Sequence, residues 1–343
     1  MNNRWEAFLD GLREPGNRVS PAMDRVAPDN KASVLVNLSP LKLILVSGED
    51  AEKFLQGQIT NDIRNVSENR FQIAGHCTPK GRMLANFVVF RRQQSYLLQM
   101  PADTHQMLLK RLPMYILMSK VKIEDASDEL CRFGFAGDSA PERLREQLDS
   151  IPGDPWESVQ TGGISLLRHP GTVPRFELVG EYGPMTDLWR KLSAKAIPGD
   201  LGYWSLLDIR AGIGVIVGAT SEAFVPQMTN MHLLNGISFT KGCYTGQEVV
   251  ARMKYLGKLK RRMYLARVDS NTTPKPGDEV YAKGSQSGQG AGKIVDAQPS
   301  PEGGYELLSV LEIASFESDD VHLCDSNGPR LMFQQLPYSF EQE

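Results

Sequence analysis

The stretch KGCYTGQE, residues 241–248, places a single cysteine in a glycine-flanked turn directly before a segment of helical character. Lys241 stands two residues before Cys243, and the residues that follow predict a helix from Thr245 to Tyr255. A nearby cation and a helix N-terminus both stabilise a thiolate, so this pattern is typical of a reactive thiol. A small buried cysteine at a junction between loop and helix is the alternative that these residues leave open.

A basic run without any acidic residue follows this stretch and is interleaved with Tyr255. Its members are Arg252, Lys254, Lys258, Lys260, Arg261 and Arg262. Such a run offers positive charges for phosphates and one aromatic surface for a base, which favours RNA contact. The alternative is a solvated helix end that leads into an edge strand protected by lysines.

The composition excludes several classes of protein. With 343 residues the chain is long enough for two or three domains, and its net charge of −3 excludes a protein that is basic all over. Any contact with nucleic acid must therefore come from a local patch. The N-terminus lacks the apolar stretch of a signal peptide, and no apolar run reaches the length of about 18 residues that a membrane helix needs. We expect neither export nor a membrane span.

The cysteines and histidines argue against a metal site. Cys77, Cys131, Cys243 and Cys324 include no C-x-x-C pair, which disfavours a disulfide framework and a local zinc site and indicates reduced thiols in cytoplasm. His76 and Cys77 are adjacent on a predicted strand and would point to opposite faces, so we do not predict that they act as a pair. The stretch GQGAGK, residues 288–293, lacks a hydroxyl residue after Lys293 and is better explained as a hairpin loop than as a phosphate loop.

The order of predicted elements indicates a mixed α+β protein. Strand-like runs at 33–47 predict a hairpin, a capping serine predicts a helix from Glu49 to Gln58, and three strands over 71–100 predict an antiparallel meander. Residues 130–198 alternate strands and helices as a small α+β unit does. A helix containing Trp204 ends near Ala211, where Gly212 stops it, and short strands at even spacing predict a C-terminal β-barrel.

The stretch at 241–248 is similar to the signature K-G-C-Y-x-G-Q-E of the YgfZ proteins. The matching residues are Lys241, Gly242, Cys243, Tyr244, Gly246, Gln247 and Glu248. Further matches are FLQGQITND at 54–62, HCTPKGRM at 76–83, FVPQMTN at 224–230 and LPYS at 336–339, so the resemblance covers residues 33–340. The chain thus resembles a family of folate-binding, tRNA-modifying proteins. That family is related to the T-protein, the aminomethyltransferase of the glycine cleavage system, and to a mitochondrial iron–sulfur cluster assembly factor.

The resemblance implies a fold with a T-protein-like folate-binding domain, a ferredoxin-like α+β insert and a C-terminal β-barrel. Carried onto this sequence, the folate-binding domain comprises residues 33–129 and 199–250. The insert comprises residues 130–198, and the barrel comprises residues 251–343. Residues 1–32 precede these domains as an N-terminal arm.

The resemblance also implies where tetrahydrofolate or a derivative binds. One folate-stacking tryptophan of the family corresponds to Trp204, for which the residues alone favour core packing. A second corresponds to Leu41, which can pack on a pterin ring but cannot stack as an aromatic side chain does. Aminomethyltransferases of this fold carry an acidic pair where this chain has Ala85 and Asn86. Without that carboxylate the general acid or base for methylene transfer is missing.

By resemblance, the chain is expected to be a cytoplasmic, tetrahydrofolate-binding accessory protein. It would support iron–sulfur enzymes that methylthiolate tRNA, with Cys243 as an essential thiol. Lys241 would lower the pKa of that thiol, and Gln247 and Glu248 would fix the turn or orient a ligand. The alternatives are a folate-dependent transferase of aminomethyl or formyl groups and a module that binds RNA through the basic run.

Overall fold

The computed structural model describes residues 3–12, 32–255, 257, 259–282 and 290–340. The helices are α1 (Asn3–Gly11), α2 (Ala51–Gln56), α3 (Ala102–Arg111), α4 (Ala140–Arg145), α5 (Tyr182–Ser193), α6 (Leu201–Arg210), α7 (Gln247–Tyr255) and α8 (Ile313–Glu317). The strands to Met100 are β1 (Ser33–Asn37), β2 (Lys42–Ser47), β3 (Gln72–Cys77), β4 (Met83–Arg92) and β5 (Ser95–Met100). Those to Gly199 are β6 (Lys122–Asp125), β7 (Cys131–Ala136), β8 (Ser158–Thr161), β9 (Ile164–His169), β10 (Arg175–Gly180) and β11 (Ala196–Gly199). The last six are β12 (Arg261–Val268), β13 (Glu279–Ala282), β14 (Gly292–Pro299), β15 (Tyr305–Glu312), β16 (Val321–Leu323) and β17 (Met332–Gln334).

The chain divides into two compact units. The first comprises Met1–Ala51, Arg64–Gln72 and Val88–Trp204, and the second comprises Glu52–Ile63, Ile73–Phe87 and Ser205–Glu343. These limits differ from the predicted domain boundaries, which stay a prediction. None of the helices in the described residues is long and apolar enough to cross a membrane.

The first unit contains a six-stranded sheet in the order β11-β1-β7-β10-β9-β8. The hairpin predicted at 33–47 is wrong, because β1 pairs with β7 and β11 whereas β2 pairs with β5 and β6. The first four residues of β1 are all buried, so both faces of this strand need apolar neighbours. Helices supply them: Leu35 lies in the apolar cluster of Trp5 and Trp189, and Val34 and Val36 lie in that of Trp204. The turn at Ser39 and Pro40 leads from one sheet to the other.

Helix α1 packs in the core of the first unit. Residues 3–11 belong to the predicted N-terminal arm, yet Trp5 is fully buried among the apolar side chains below the six-stranded sheet. The Trp5 ring stacks on Phe133 at 6.2 Å between centroids and meets Trp189 edge-on at 5.5 Å. Aromatic burial of this size stabilises the helix strongly, so the arm prediction does not describe these residues. Residues 13–31 of the predicted arm lie outside the described part of the chain.

A five-stranded sheet follows the order β3-β4-β5-β2-β6, which confirms the predicted meander over β3, β4 and β5. The chain passes from the second unit to the first within β4, between Phe87 and Val88. Helix α2 begins at Ala51 and ends at Gln56, so it is shorter at both ends than predicted. Gly212 stops α6 as predicted: its φ is +68°, and Ile213 N donates to Asp208 O at 2.9 Å.

The C-terminal strands form a six-stranded sheet in the order β16-β13-β14-β15-β12-β17, and every pairing in it is antiparallel. The sheet is curled as half of a barrel, in agreement with the C-terminal β-barrel expected from the sequence. Its buried face includes Tyr264, Leu307 and Leu311. The pairing of β14 with β15 shifts register between Ile294 and Asp296.

Asp296, at this irregularity, provides a test of pH-dependent stability. Burial, with repulsion from Asp208, raises its pKa to about 7. Because the folded pKa lies above the ordinary value, the stability that protonation adds is complete below about pH 4 and is lost as the pH rises through 7. We expect Asp296→Asn, which keeps the acceptor for Ala297 N, to raise the free energy of unfolding by about 1–2 kcal/mol at pH 8.

The same substitution should leave stability unchanged at pH 4, and urea unfolding at both values measures the difference. Asp149→Asn, at an exposed aspartate, is the control and should have no effect at either pH. An equal gain at both pH values for Asp296→Asn would contradict a raised pKa.

Candidate functional site

The signature cysteine lies in an exposed loop of the second unit. Cys243 is exposed, and the loop leads into α7, which begins at Gln247. The predicted helix start at Thr245 is wrong by two residues, because Gly246 has φ +86° and cannot continue a right-handed helix. The thiol therefore stands four residues before the first helical residue and outside the first turn of α7.

Lys241 anchors this loop. Its side chain is buried, and its Nζ donates to Ile59 O and Asn61 O, both at 2.7 Å. The same ammonium lies 5.2 Å from the centre of the Tyr244 ring. These contacts hold the start of the loop against the stretch that joins α2 to β3. The predicted effect of Lys241 on the pKa of Cys243 stays a prediction.

Gln247 closes the loop from its other end. Its Oε1 accepts from Tyr244 N at 3.3 Å, and its Nε2 donates to Lys241 O at 3.5 Å. Tyr244 is buried, and burial raises the pKa of its hydroxyl above the ordinary value. Glu248 is exposed in the first turn of α7, where a negative charge is favourable.

Gly246 brings two of the sequence motifs into contact. A Cβ at Gly246 would lie 2.4 Å from Thr78 O and 3.0 Å from Gly81 Cα. Gly81, with φ +71°, packs closely against α7. A Cβ added at Gly81 would lie 2.8 Å from the Cβ of Val249. The cysteine loop therefore packs directly on the turn of HCTPKGRM, and both glycines are required for that approach.

His76 and Cys77 are neighbours on β3, and both are buried. His76 Nδ1 bonds to Gln58 O at 2.8 Å. Burial raises the pKa of the Cys77 thiol to about 12, which keeps it neutral near pH 7. No group of three or more histidine, cysteine or acidic side chains in the described residues could hold a metal ion.

Asn86 occupies one position of the acidic pair and has a structural role. Its Nδ2 donates to Gly214 O and its Oδ1 accepts from Ile216 N, both at 2.7 Å. The amide thus uses its donor and its acceptor on one segment of backbone, an arrangement that a carboxylate cannot reproduce. Ala85, the other position, is fully buried.

The basic run is divided between two environments. Arg252, Lys254 and Lys260 are exposed. Arg261 pairs with Glu312 at 3.1 Å, and the guanidinium of Arg262 lies over the ring of Phe340. Lys258 lies outside the described residues.

The two predicted folate positions meet in the first unit. Trp204 is 3% exposed and packs with Val34, Val36 and Leu38, and Leu41 is partly buried against the same cluster. Gly134 of β7 forms the surface beneath the indole, because a Cβ there would lie 2.5 Å from a ring carbon. The structure thus brings Leu41 and Trp204 together, with the indole almost fully covered by its neighbours.

Arg175 lies against this tryptophan, and Glu177 is linked to it through His169; sequence reasoning missed both charges. The guanidinium of Arg175 lies 5.2 Å from the centre of the Trp204 ring. Glu177, two residues along β10, is fully buried, and its Oε2 lies 2.9 Å from His169 Nε2. Its other oxygen, Oε1, accepts no hydrogen bond from the described residues. The sequence RFELVG does contain a sign of this cluster. It places Arg175 and Glu177 among apolar residues of a buried strand, where a charge is costly unless it has a partner.

Arg132 is another buried cation near Glu177. Its side chain is fully buried and donates to Leu41 O at 3.0 Å and to Leu130 O at 2.9 Å. Burial lowers the pKa of Arg132 to about 10, although the carboxylate of Glu177 opposes this shift. Arg132 and His169 therefore both neighbour the buried carboxylate of Glu177.

Comparisons with known proteins place the chain among described relatives. The model of the GCVT N-terminal domain matches residues 27–183. The tRNA-modifying protein YgfZ of Enterobacter sp. (strain 638) is 33% identical over 94% of this chain and 98% of its own length. The protein of the same name from Shigella boydii serotype 4 (strain Sb227) is 33% identical over 90% of this chain and 94% of its own length.

A solved structure shows the same fold. The glycine cleavage system aminomethyltransferase T from Bartonella henselae superposes with a TM-score of 0.65, covering 90% of this chain and 86% of that one at 15% identity. The fold is therefore T-protein-like, of mixed α+β class. Because one residue in three is shared with the curated relatives over nearly the whole length of both chains, this chain belongs to the family of the tRNA-modifying protein YgfZ.

Proposed function

We propose that this protein is a cytoplasmic, tetrahydrofolate-binding accessory factor that supports iron–sulfur enzymes in the methylthiolation of tRNA, with Cys243 as its essential thiol. The observation that carries the proposal is the geometry of the cysteine loop. Cys243 is exposed, whereas Lys241 and Gln247 on either side of it are bonded to the backbone. The loop is thus held in one conformation while its thiol stays accessible.

The surroundings of Cys243 suit a transient role. One thiolate is too few to hold an iron–sulfur cluster, so partner cysteines must come from the enzyme that is served. An exposed thiol on an anchored loop can approach such a partner without a large loss of conformational freedom. The name of the relatives, tRNA-modifying protein, supports tRNA as the final substrate of the pathway.

The cluster around Trp204 supports the folate part of the proposal. The pyrimidine half of a pterin ring carries adjacent N–H donors, which match the two oxygens of a carboxylate. Glu177 offers an oxygen that the described residues leave without a hydrogen bond. Trp204 and Leu41 belong to one apolar cluster, Arg175 lies over the Trp204 ring, and His169 links that ring to Glu177. Glu177 therefore joins Trp204 and Leu41 as a proposed folate residue.

Asn86 argues against the alternative, a folate-dependent transferase of aminomethyl or formyl groups. That chemistry needs a general acid or base beside the transferred carbon. The amide of Asn86 is committed to Gly214 and Ile216, and Ala85 carries no ionisable group. The accessory role therefore fits these residues better than the transferase role.

Mass spectrometry of tRNA nucleosides tests the proposal. A strain without this protein is complemented with wild type, Cys243→Ala or Cys324→Ala; the last is the control, because Cys324 is also exposed but lies outside the signature. We expect methylthio-adenosine to be restored by wild type and Cys324→Ala and to stay at the level of the deletion strain with Cys243→Ala. Full restoration by Cys243→Ala would refute an essential thiol.

A further inference from the structure

We infer that Phe239, Arg252, Lys254 and Tyr255 form a surface that binds unpaired nucleotides of RNA. This surface, called here the Tyr255 surface, lies within the second unit and uses only part of the basic run. The inference rests on the proposed function and deepens it, because it names a place where the protein itself contacts RNA.

The Tyr255 surface combines aromatic rings with a cation. Lys254 Nζ lies 4.0 Å from the centre of the Phe239 ring and 5.9 Å from that of Tyr255. The two rings are 6.4 Å apart and inclined at 76°. Tyr255 is nevertheless 63% exposed, so most of the side chain stays open to solvent. A nucleotide base is a flat partner that such a ring can stack against.

The charges of this surface are available to phosphates. Arg252 and Lys254 are exposed in the last turn of α7, and no ion pair joins either to a carboxylate among the described residues. Arg261 differs, because Glu312 already neutralises it. The structure thus divides the basic run into a part that is free to bind phosphate and a part that stabilises the C-terminal sheet.

The combination favours unpaired RNA over other anionic partners. In a duplex the bases are stacked on each other, so a duplex would use the charges but not the ring of Tyr255. An acidic peptide would likewise use only Arg252 and Lys254. A single strand presents a base and a phosphate together, which matches an exposed ring with Lys254 beside it and Arg252 three residues earlier on the same helix.

The position of the surface connects it with the thiol. The contact between the rings of Phe239 and Tyr255 joins the two ends of the segment 239–255. Cys243 lies exposed in the loop between these ends. RNA bound to Tyr255 would therefore be held by the same segment that carries the signature cysteine.

Fluorescence anisotropy tests the inference with the full-length protein and a 5′-fluorescein-labelled single-stranded RNA of mixed sequence, 12 nucleotides long, at several salt concentrations. We expect Tyr255→Ala to weaken binding about tenfold with an unchanged salt dependence, since stacking carries no charge. The double variant Arg252→Glu and Lys254→Glu should weaken RNA binding at least as much. It should also reduce the slope of log affinity against log salt concentration by about two. Lys191→Glu, an exposed control in the first unit, should bind within about twofold of wild type.

Three outcomes would overturn the inference. The first is that wild type does not bind the RNA, and the second is that Tyr255→Ala binds it as tightly as wild type. The third is that wild type binds a 12-base-pair duplex, or poly-glutamate of the same total charge, as tightly as it binds the single strand. Circular dichroism of each variant identifies those that fail to fold, and Tyr255→Phe, which keeps the ring, should bind like wild type. If RNA does not bind while Cys243→Ala still abolishes methylthio-adenosine, this inference fails and the proposed function stands.

Discussion

Replacing Gly246 by alanine is expected to lower the free energy of unfolding by about 3 kcal/mol and to abolish function in the tRNA nucleoside assay. The residue has φ +86°, where a side chain costs about 1–2 kcal/mol. The new Cβ would also lie 2.4 Å from Thr78 O, which is backbone and cannot rotate away. The loop must therefore move off the turn at 78–81, and Cys243 moves with it.

Gly242→Ala is the matched control for this variant. Gly242 belongs to the same signature and is exposed, and a Cβ there meets nothing within 4 Å among the described residues. We expect a change in unfolding free energy of less than about 0.5 kcal/mol and normal methylthio-adenosine. Urea unfolding of both variants measures the contrast. Equal effects at the two glycines would show that close packing of Gly246 does not hold the loop.

Replacing Glu177 by glutamine is expected to weaken the binding of tetrahydrofolate about 100-fold. The substitution keeps the size of the side chain but turns one acceptor oxygen into a donor. A pterin N–H group facing that position would lose its partner and meet another donor, which costs about 2–3 kcal/mol. Isothermal titration calorimetry with 5-formyl-tetrahydrofolate, a stable derivative, measures the change.

Glu157→Gln is the control for Glu177→Gln within the same unit. Its Oε2 accepts from Gly153 N and Asp154 N, and a glutamine oxygen can keep those bonds. We expect the control to bind folate as wild type does. Urea unfolding of Glu177→Gln separates loss of binding from loss of folding, because His169 and Arg132 also neighbour this carboxylate. Unchanged affinity in a folded Glu177→Gln protein would place folate elsewhere.

Two residues of the signature make contacts that the sequence pattern does not show. The sequence pattern predicts that Lys241 acts on the thiol of Cys243, and the structure adds that its buried ammonium bonds to two backbone carbonyls. The same pattern treats Gly246 as a turn residue, whereas its main constraint is the carbonyl of Thr78, far away along the chain. Both roles depend on partners near residues 59–61 and 78, which no local pattern at 241–248 can reveal.

Local patterns by themselves determined much of this protein. Apolar alternation located the meander and the C-terminal strands, Gly212 located the end of α6, and the residues at 241–248 identified the family. These features depend on neighbours within a few residues, where backbone propensity and periodicity act. The signature at 241–248 is recognised from the identity of its residues alone, without their three-dimensional contacts.

Only the tertiary structure decided which strands pair and which charges are buried. It placed β1 and β2 in different sheets, brought Trp5 into the core, set Arg175 against Trp204 and buried Glu177 near Arg132. The reason is that strand pairing and the burial of charge are governed by contacts between residues far apart in sequence. Those contacts gain their free energy only when the whole sheet forms, so a short window of sequence such as RFELVG shows that charges are present but not which partners they meet.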